Sequence, residues 1–289
     1  LGALAYWLVS RKRDGKATLI DPGLFGSKLF RFGVSGQLLQ QVALGGTMIV
    51  LPIYLQMVFG YNALQAGLSI APLSLSMFVI ALVAGRRFGG RRPSTIIRLG
   101  FTLLLVGLVA IIPIVPRADA GWYLAIPLII GGSGLGLLVS QLNNYTLSPI
   151  SEERVSEAAG VNSAAGSFGL SFGLAFAGAI MLATLATSFT TLAQSSTVLP
   201  PEDKQQVATV LEDDAEVMSD AQLQAILADE TPAVQDEVLQ INDQARNLAL
   251  QVALLVPILA AALGLVNSFR MVRLPDPTPS GAAEMVLGG

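Results

Sequence analysis

Hydrophobic and polar positions along this 289-residue chain do not alternate; they separate into blocks. No Asp, Glu, Lys or Arg occurs in residues 32–85, 99–116, 120–151, 158–201 or 247–269. A helix that crosses a bilayer needs about 20 consecutive, mostly apolar residues. The longest block is more than twice that and must fold back on itself. Gly60-Tyr61-Asn62 supplies a turn signal inside it. Pro113 and Pro116 close the third stretch, and Ser148-Pro149 closes the fourth. The pattern therefore predicts an all-α polytopic membrane helix bundle. Its six full spans fall near 33–58, 64–85, 96–115, 122–143, 161–185 and 248–269. Residues 1–9 are apolar but too few to span, and they run directly into Arg11-Lys12-Arg13. They read as the end of a truncated helix over 1–10, followed by a linker over 11–31. Residues 32–186 then hold the first five full spans, 247–270 the last one, and 271–289 a tail.

Composition agrees. Charged residues make up 13% of the chain, against about a quarter in soluble domains. Mean hydropathy is +0.63. There is no cysteine and no histidine, which excludes disulfides, Cys/His metal sites and catalysis by a His base. With no HExxH motif and no carboxylate pair inside the spans, the reading is not an enzyme. No catalytic residue, metal, cofactor or nucleic-acid partner is expected.

The net charge of -3 hides a strong polarity. Residues 187–246 hold twelve acidic and two basic residues, a net of -10, so the remainder sums to +7. Sorting Lys and Arg by the alternating spans puts fourteen on one side and three, Arg117, Lys204 and Arg246, on the other. By the positive-inside rule the basic side is cytoplasmic, which puts the linker and the C-terminus inside a plasma (inner) membrane. The acidic stretch 187–246 then lies outside. It is patterned rather than low in complexity: Val207, Val210 and Leu211, and again Leu223, Ile226 and Leu227, recur at helical spacing. Ser219 with Gln222 makes a capping box, and Thr231-Pro232 reads as an N-cap followed by an N1 proline. The helix begun there is expected to continue into the last span.

The spans form two groups of three, and the middle one of each is rich in small residues: Gly67, Ala71, Ser74, Ala81, Ala84 and Gly85 against Ala165, Gly169, Gly173 and Ala177. Two three-helix units crossing in opposite senses make an inverted repeat.

One stretch carries a family likeness. Pro52, Tyr54, Leu55, Gln56, Val58, Gly60, Tyr61, Leu64, Ala66 and Gly67 resemble the Pro-x-Tyr-Leu-Gln-x-Val-x-Gly-Tyr-x-x-Leu-x-Ala-Gly seam of the major facilitator superfamily. The branch with this seam is the fourteen-helix drug:proton antiporters, where it joins the first two helices of the C-terminal half. The loop 85–92, with Arg86, Arg87, Arg91 and Arg92, is similar to the family's basic cytoplasmic loop but lacks its acidic residue. The linker ending in Asp21-Pro22-Gly23-Leu24-Phe25 resembles the connection after that branch's two extra central helices. The resemblance implies the C-terminal half of a secondary transporter that works by alternating access. It would couple proton entry to efflux of small amphipathic compounds, with a missing N-terminal half as partner. An exporter of a lipid, peptide or metabolite on the same fold is the alternative. So is a non-transporting receptor or assembly subunit, in which the acidic outer stretch would be the working part.

Candidate functional residues are few. Gln37, Gln40 and Gln41 lie in the basic-side half of the first full span, where an amide faces the bundle or water rather than lipid. They serve either interhelical hydrogen bonding or, as the resemblance implies, cavity lining. Gln141, Asn143, Asn144 and Tyr145 close the fourth span, either as helix-end polar residues or, for Gln141 and Asn144, as substrate contacts. Gly169, Gly173 and Ala177 form a small-residue stripe suited to close packing, including packing that slides. Phe168, Phe172 and Phe176 run beside it, facing lipid, a neighbouring helix or a cationic compound. Arg86, Arg87, Arg91 and Arg92 set topology and contact headgroups, or latch onto Glu152, Glu153 and Glu157.

Overall fold

The computed structural model describes residues 22–87, 91–200, 204, 223–225 and 227–275. The helix end over 1–10, the cations Arg11, Lys12, Arg13 and Lys16, and the tail from 276 onward lie outside the described residues. So do Val207, Val210, Leu211, Ile226, the Ser219–Gln222 box and the side chain of Arg86.

Seven α-helices account for most of the described residues: α1 Lys28–Phe59, α2 Ala63–Arg87, α3 Pro93–Ile114, α4 Ala125–Leu147, α5 Val155–Ser195, α6 Pro232–Ala253 and α7 Leu255–Val272. Thr231 and Pro232 stand at the N-cap and N1 positions of α6. The last two helices form a single rod. Leu254 N–H donates to the Leu250 carbonyl and Ile258 N–H to that of Leu254. The rod is interrupted there because Pro257 has no N–H to offer the Ala253 carbonyl. Counted as one, α6–α7 makes the sixth stretch long and apolar enough to cross a membrane.

Turn chemistry fixes the α1–α2 seam. Gly60 takes a left-handed conformation (φ 62°), the only positive φ among the described residues, and ends α1. Asn62 and Gln65 then cap α2 reciprocally. Gln65 N–H donates to Asn62 Oδ1 at 2.9 Å and Asn62 N–H to Gln65 Oε1 at 3.0 Å. Tyr61 reaches across to accept from Gly121 N–H at 3.1 Å, before α4.

The packing order is that of an inverted repeat. The most extensive interfaces are α1 with α5 and α2 with α4, followed by α3 with α4, α7 with α1, α5 with α6, and α3 with α7. Exchanging α1 with α4, α2 with α5 and α3 with α7 maps all of these onto one another except α5 with α6, which has no counterpart in the other half, and exchanged helices run in opposite directions. Glycine makes the two principal interfaces possible. A Cβ on Gly169 would lie 2.5 Å from the Leu38 carbonyl oxygen, and one on Gly173 2.3 Å from that of Val42. In the equivalent pair, a Cβ on Gly132 would lie 2.2 Å from the Leu73 carbonyl oxygen and one on Gly136 2.5 Å from that of Met77. Backbone meets backbone in both halves.

Two elements are longer than hydropathy suggests. At about 1.5 Å per residue the 41 residues of α5 are roughly 60 Å long, twice a hydrocarbon core. The helix continues past 185 because its polar residues turn inward on their own backbone. Thr187 Oγ1 donates to the Ala183 carbonyl at 2.8 Å and Thr191 Oγ1 to that of Thr187 at 2.7 Å. Ser188, Phe189 and Ala193 are buried on the same stretch. Phe189 and Ala193 join Val238, Ile241 and Ala245 of α6 in the core that also fills the spans. Ser196 Oγ donates to Glu237 Oε1 at 2.5 Å, and Lys204 Nζ to the Gln194 carbonyl at 3.0 Å at the end of α5. The outer ends of α5 and α6 thus form a packed helical arm.

Gly173→Leu is expected to separate α1 from α5 and cost at least about 1–3 kcal/mol, read as a lower melting temperature in detergent. Gly160→Ala, where nothing lies within 4 Å of the added carbon, should be neutral or stabilising by up to about 1 kcal/mol. Equal effects of the two would contradict the backbone-contact account.

Candidate functional site

A wedge of amide side chains sits at the basic end of the bundle, where α1 meets α4 and α5. On α1, Gly33 and Gly36 set the approach: their added carbons would meet Thr146 and Leu142 of α4, and Gly36 also meets Met271 and Asn267 of α7. Gln40, one turn beyond Gly36 on that face, is 2% exposed. Gln37 and Gln41 turn toward α5 and are half-buried. Gly166 and Gly169 make room for them, an added carbon lying 3.1 Å from Gln37 Nε2 and 3.2 Å from Gln41 Cβ respectively.

From α4, Gln141 is buried next to Leu142, and Tyr145 is fully buried one turn on. Asn143 and Asn144 are exposed at the helix end. Asn162 of α5, 4% exposed, bridges to α4 by donating from Nδ2 to Asn143 Oδ1 at 3.1 Å. The structure thus sets Gln37, Gln40 and Gln41 on α1 between α4 and α5, while Gln141 is buried on α4 and Asn144 is exposed at the end of that helix.

The electrostatics are those of acceptors without donors. The side-chain oxygens of Gln40, Gln41 and Asn162 are buried and have no hydrogen-bond partner. A buried polar atom left unpaired costs about 1–3 kcal/mol. No formal charge lies within the apolar parts of these helices. Chemically the wedge can accept hydrogen bonds from N–H or O–H groups in a low-dielectric setting; it offers no acid, base or nucleophile.

The other residues singled out have different surroundings. Gly169, Gly173 and Ala177 lie against α1, Ala177 3.4 Å from a carbon added at Gly46. Phe168, Phe172 and Phe176 are exposed and stacked ring on ring. Arg87, Arg91 and Arg92 are exposed at the basic end, while Glu157 pairs with Arg154 at 3.4 Å.

Four residues hold places that their sequence neighbourhood did not predict. Asn162 and Asn267 are single amides within apolar runs, a signal the sequence does carry. Asn267 Nδ2 donates to the Phe32 carbonyl at 2.8 Å, tying α7 to α1. At the opposite end the Tyr54 hydroxyl shares its proton between the Val115 carbonyl at 3.2 Å and Asn247 Oδ1 at 3.1 Å. Beside it Arg246, 2% exposed, donates from Nη1 to the Met57 carbonyl at 2.7 Å. An arginine in an acidic stretch of sequence gives no hint of such burial.

Residues 2–174 match the family described as Major Facilitator Superfamily. Among curated proteins, the chain is 24% identical over 193 residues to the probable actinorhodin transporter of Streptomyces coelicolor, covering 66% of this chain and 33% of that one. It is 26% identical over 180 residues to the putative multidrug resistance protein MdtD of Enterobacter sp., covering 61% and 37%. With MdtD of Yersinia pestis it is 30% identical over 187 residues, covering 63% and 38%. The chain therefore spans little more than a third of the length of these relatives. The family match extends over more than half of the chain and falls on a six-span helical bundle with inverted-repeat packing: the chain belongs to the Major Facilitator Superfamily, a family of membrane transporters and not of enzymes.

Proposed function

We propose that this chain is one helical bundle of a proton-coupled exporter of small amphipathic compounds, and that the amide wedge between α1, α4 and α5 is part of its substrate site. The observation that carries this reading is the set of three buried, unpartnered oxygens on Gln40, Gln41 and Asn162. An amide in a membrane span is costly and ordinarily satisfied by a neighbour. Here a ligand bearing ammonium, amide or hydroxyl hydrogens would satisfy all three. The similarity to a probable actinorhodin transporter and to putative multidrug resistance proteins supports cargo of that kind.

Proton coupling requires a side chain that gains and loses a proton within the membrane. The apolar parts of the spans contain only neutral amides and hydroxyls, so the titrating group belongs to a second bundle, against which this one rocks. Gly169, Gly173 and Ala177 would let α5 slide on α1 during that motion. The basic end, with Arg87, Arg91, Arg92 and the Arg86 position, would face the cytoplasm.

Gln41→Leu and Gln40→Leu are expected to keep the protein abundant in the membrane while shifting its preference among cationic dyes by about tenfold, the worth of one lost hydrogen bond to a charged group. The readout is dye efflux from cells making the full transporter. Variants that fail to accumulate would assign the amides to packing; unchanged efflux of every dye would remove them from the site.

No cysteine occurs in this chain, so a single introduced one reports its own position here once any elsewhere in the full transporter are replaced. A cysteine at exposed Gln224 should react with an impermeant thiol reagent added outside, and one at exposed Ser151 only after the membrane is opened. The reverse pattern would invert the topology.

A further inference from the structure

We propose that the groove between α5 and α7, floored by α1, is a binding site for an anionic phospholipid held as a resident lipid rather than as cargo. The groove encloses about 560 Å³. Its lining is entirely apolar: the rings of Phe168, Phe172 and Phe176 on one wall, Leu255, Leu259 and Leu263 on the other, with Leu38 and Val42 at the base. The three rings stack at 6.1 and 5.1 Å with interplanar angles of 23° and 20°, giving a flat wall along which an extended chain can lie.

The lining distinguishes a hydrocarbon chain from a helix. Helices that dock on one another in a bilayer do so through small residues that let backbones approach. Such a stripe exists on α5, but on its other exposed edge, at Ser163, Ser167, Ser171, Ala175 and Ala179. The groove side instead presents Phe, Leu, Ile and Val, with Ala260 the only small residue. A second helix would ride high on these side chains and leave the groove floor empty, whereas a flexible acyl chain fills it.

Charge supplies the headgroup end. Leu255, Leu259, Leu263 and Val266 form the exposed stripe of α7, and the next residue on that stripe is exposed Arg270. On α1 the stripe of Leu38 and Val42 leads back through Ser35 to exposed Arg31. The two helices are locked together at this level by the Asn267–Phe32 hydrogen bond. Each guanidinium lies seven residues, roughly 10 Å of helix, beyond the groove's near end, which is room for a phosphate and glycerol. The acidic residue on α5 at this end, Glu157, pairs with Arg154 and so does not cancel that charge. Basic pockets between membrane helices take anionic headgroups, and arginine holds phosphate through paired hydrogen bonds. Val42 points about 140° around α1 from Gln37 and about 160° from Gln40, while Gln41, on the α5 side, points about 60° from Leu38. The groove and the amide wedge thus open on different faces of that helix. This inference does not depend on the substrate site.

The full protein in phosphatidylcholine nanodiscs, doped with phosphatidylglycerol carrying a photoreactive diazirine partway down one chain, tests it. Adducts are expected on the Phe168–Phe176 and Leu255–Leu263 peptides in excess over exposed Phe78 and Leu82 of α2, an ordinary apolar surface. In the Arg31→Gln/Arg270→Gln variant, phosphatidylglycerol labelling should fall about tenfold, to the level of a matching phosphatidylcholine probe. Leu259→Trp should lower labelling by both lipids. Labelling no greater than at Phe78, or undiminished in the double arginine variant, would overturn the site. A groove closed to both probes, with cysteine at Leu259 cross-linking to another helix, would overturn it in favour of a protein partner.

Discussion

Helices in hydrocarbon gain nothing by hiding apolar surface from one another, because the solvent is as apolar as they are. What holds them is contact at short range, and contact at short range requires that side chains be absent where backbones cross. Everything else in this bundle depends on that constraint. Gly169 and Gly173 bring α5 onto the carbonyls of Leu38 and Val42, and Gly132 and Gly136 bring α4 onto those of Leu73 and Met77. The two sets occupy equivalent positions in the inverted repeat. The symmetry of the fold is therefore a symmetry of missing side chains. Large side chains enter the interior only where a small one makes room, as Phe101 does against Gly264, while the aromatic ladder of α5 lies on an exposed edge.

The same constraint explains how polar groups are distributed. With no water in the core of the membrane, each carbonyl freed by a proline or a helix end needs a donor from the protein. Pro116 denies an N–H to the Ile112 carbonyl, and Gln251 Nε2 supplies one at 3.2 Å. Arg246 and Tyr54 act similarly at the ends of α1 and α3. Beside these, the side-chain oxygens of Gln40, Gln41 and Asn162 are buried without a hydrogen-bond partner. The described residues supply no donor for these three.

Much of the architecture was legible because hydropathy reports solvent and little else. Five charge-free blocks give six stretches able to cross a membrane, because the turn at Gly60, visible as a glycine, divides the first block in two. The reciprocal cap of Asn62 and Gln65 was equally available as an Asn-x-x-Gln spacing, though a Ser- or Thr-led box is the more familiar form. Helix length was less legible. Threonine and serine end the apolar block of α5 without ending the helix, since their hydroxyls bond to their own backbone and their neighbours pack on α6. At the amide wedge, the sequence could place Gln37, Gln40 and Gln41 on one helix but not divide them between partners. The division comes from Gly33 and Gly36 facing α4 while Gly166 and Gly169 receive Gln37 and Gln41 from α5. Long-range pairs such as Arg246 with Met57 leave no local trace at all.

Those long-range pairs bear on how the protein is made. The Met57 carbonyl waits for a residue 189 positions later, the Tyr54 hydroxyl for one 193 later, and the Phe32 carbonyl for one 235 later. A ribosome delivers α1 long before these partners exist. During that interval the Met57 carbonyl, in the last turn of α1, has no helical N–H to accept from and is left to lipid and insertion machinery. The Phe32 carbonyl, inside the helix, gains from Asn267 a second donor that ties the helices together. The rod α6–α7 thus closes both ends of α1. A nascent chain halted before α6 would leave these places open, a physical mark by which quality control can tell a bundle without that rod from one that has it.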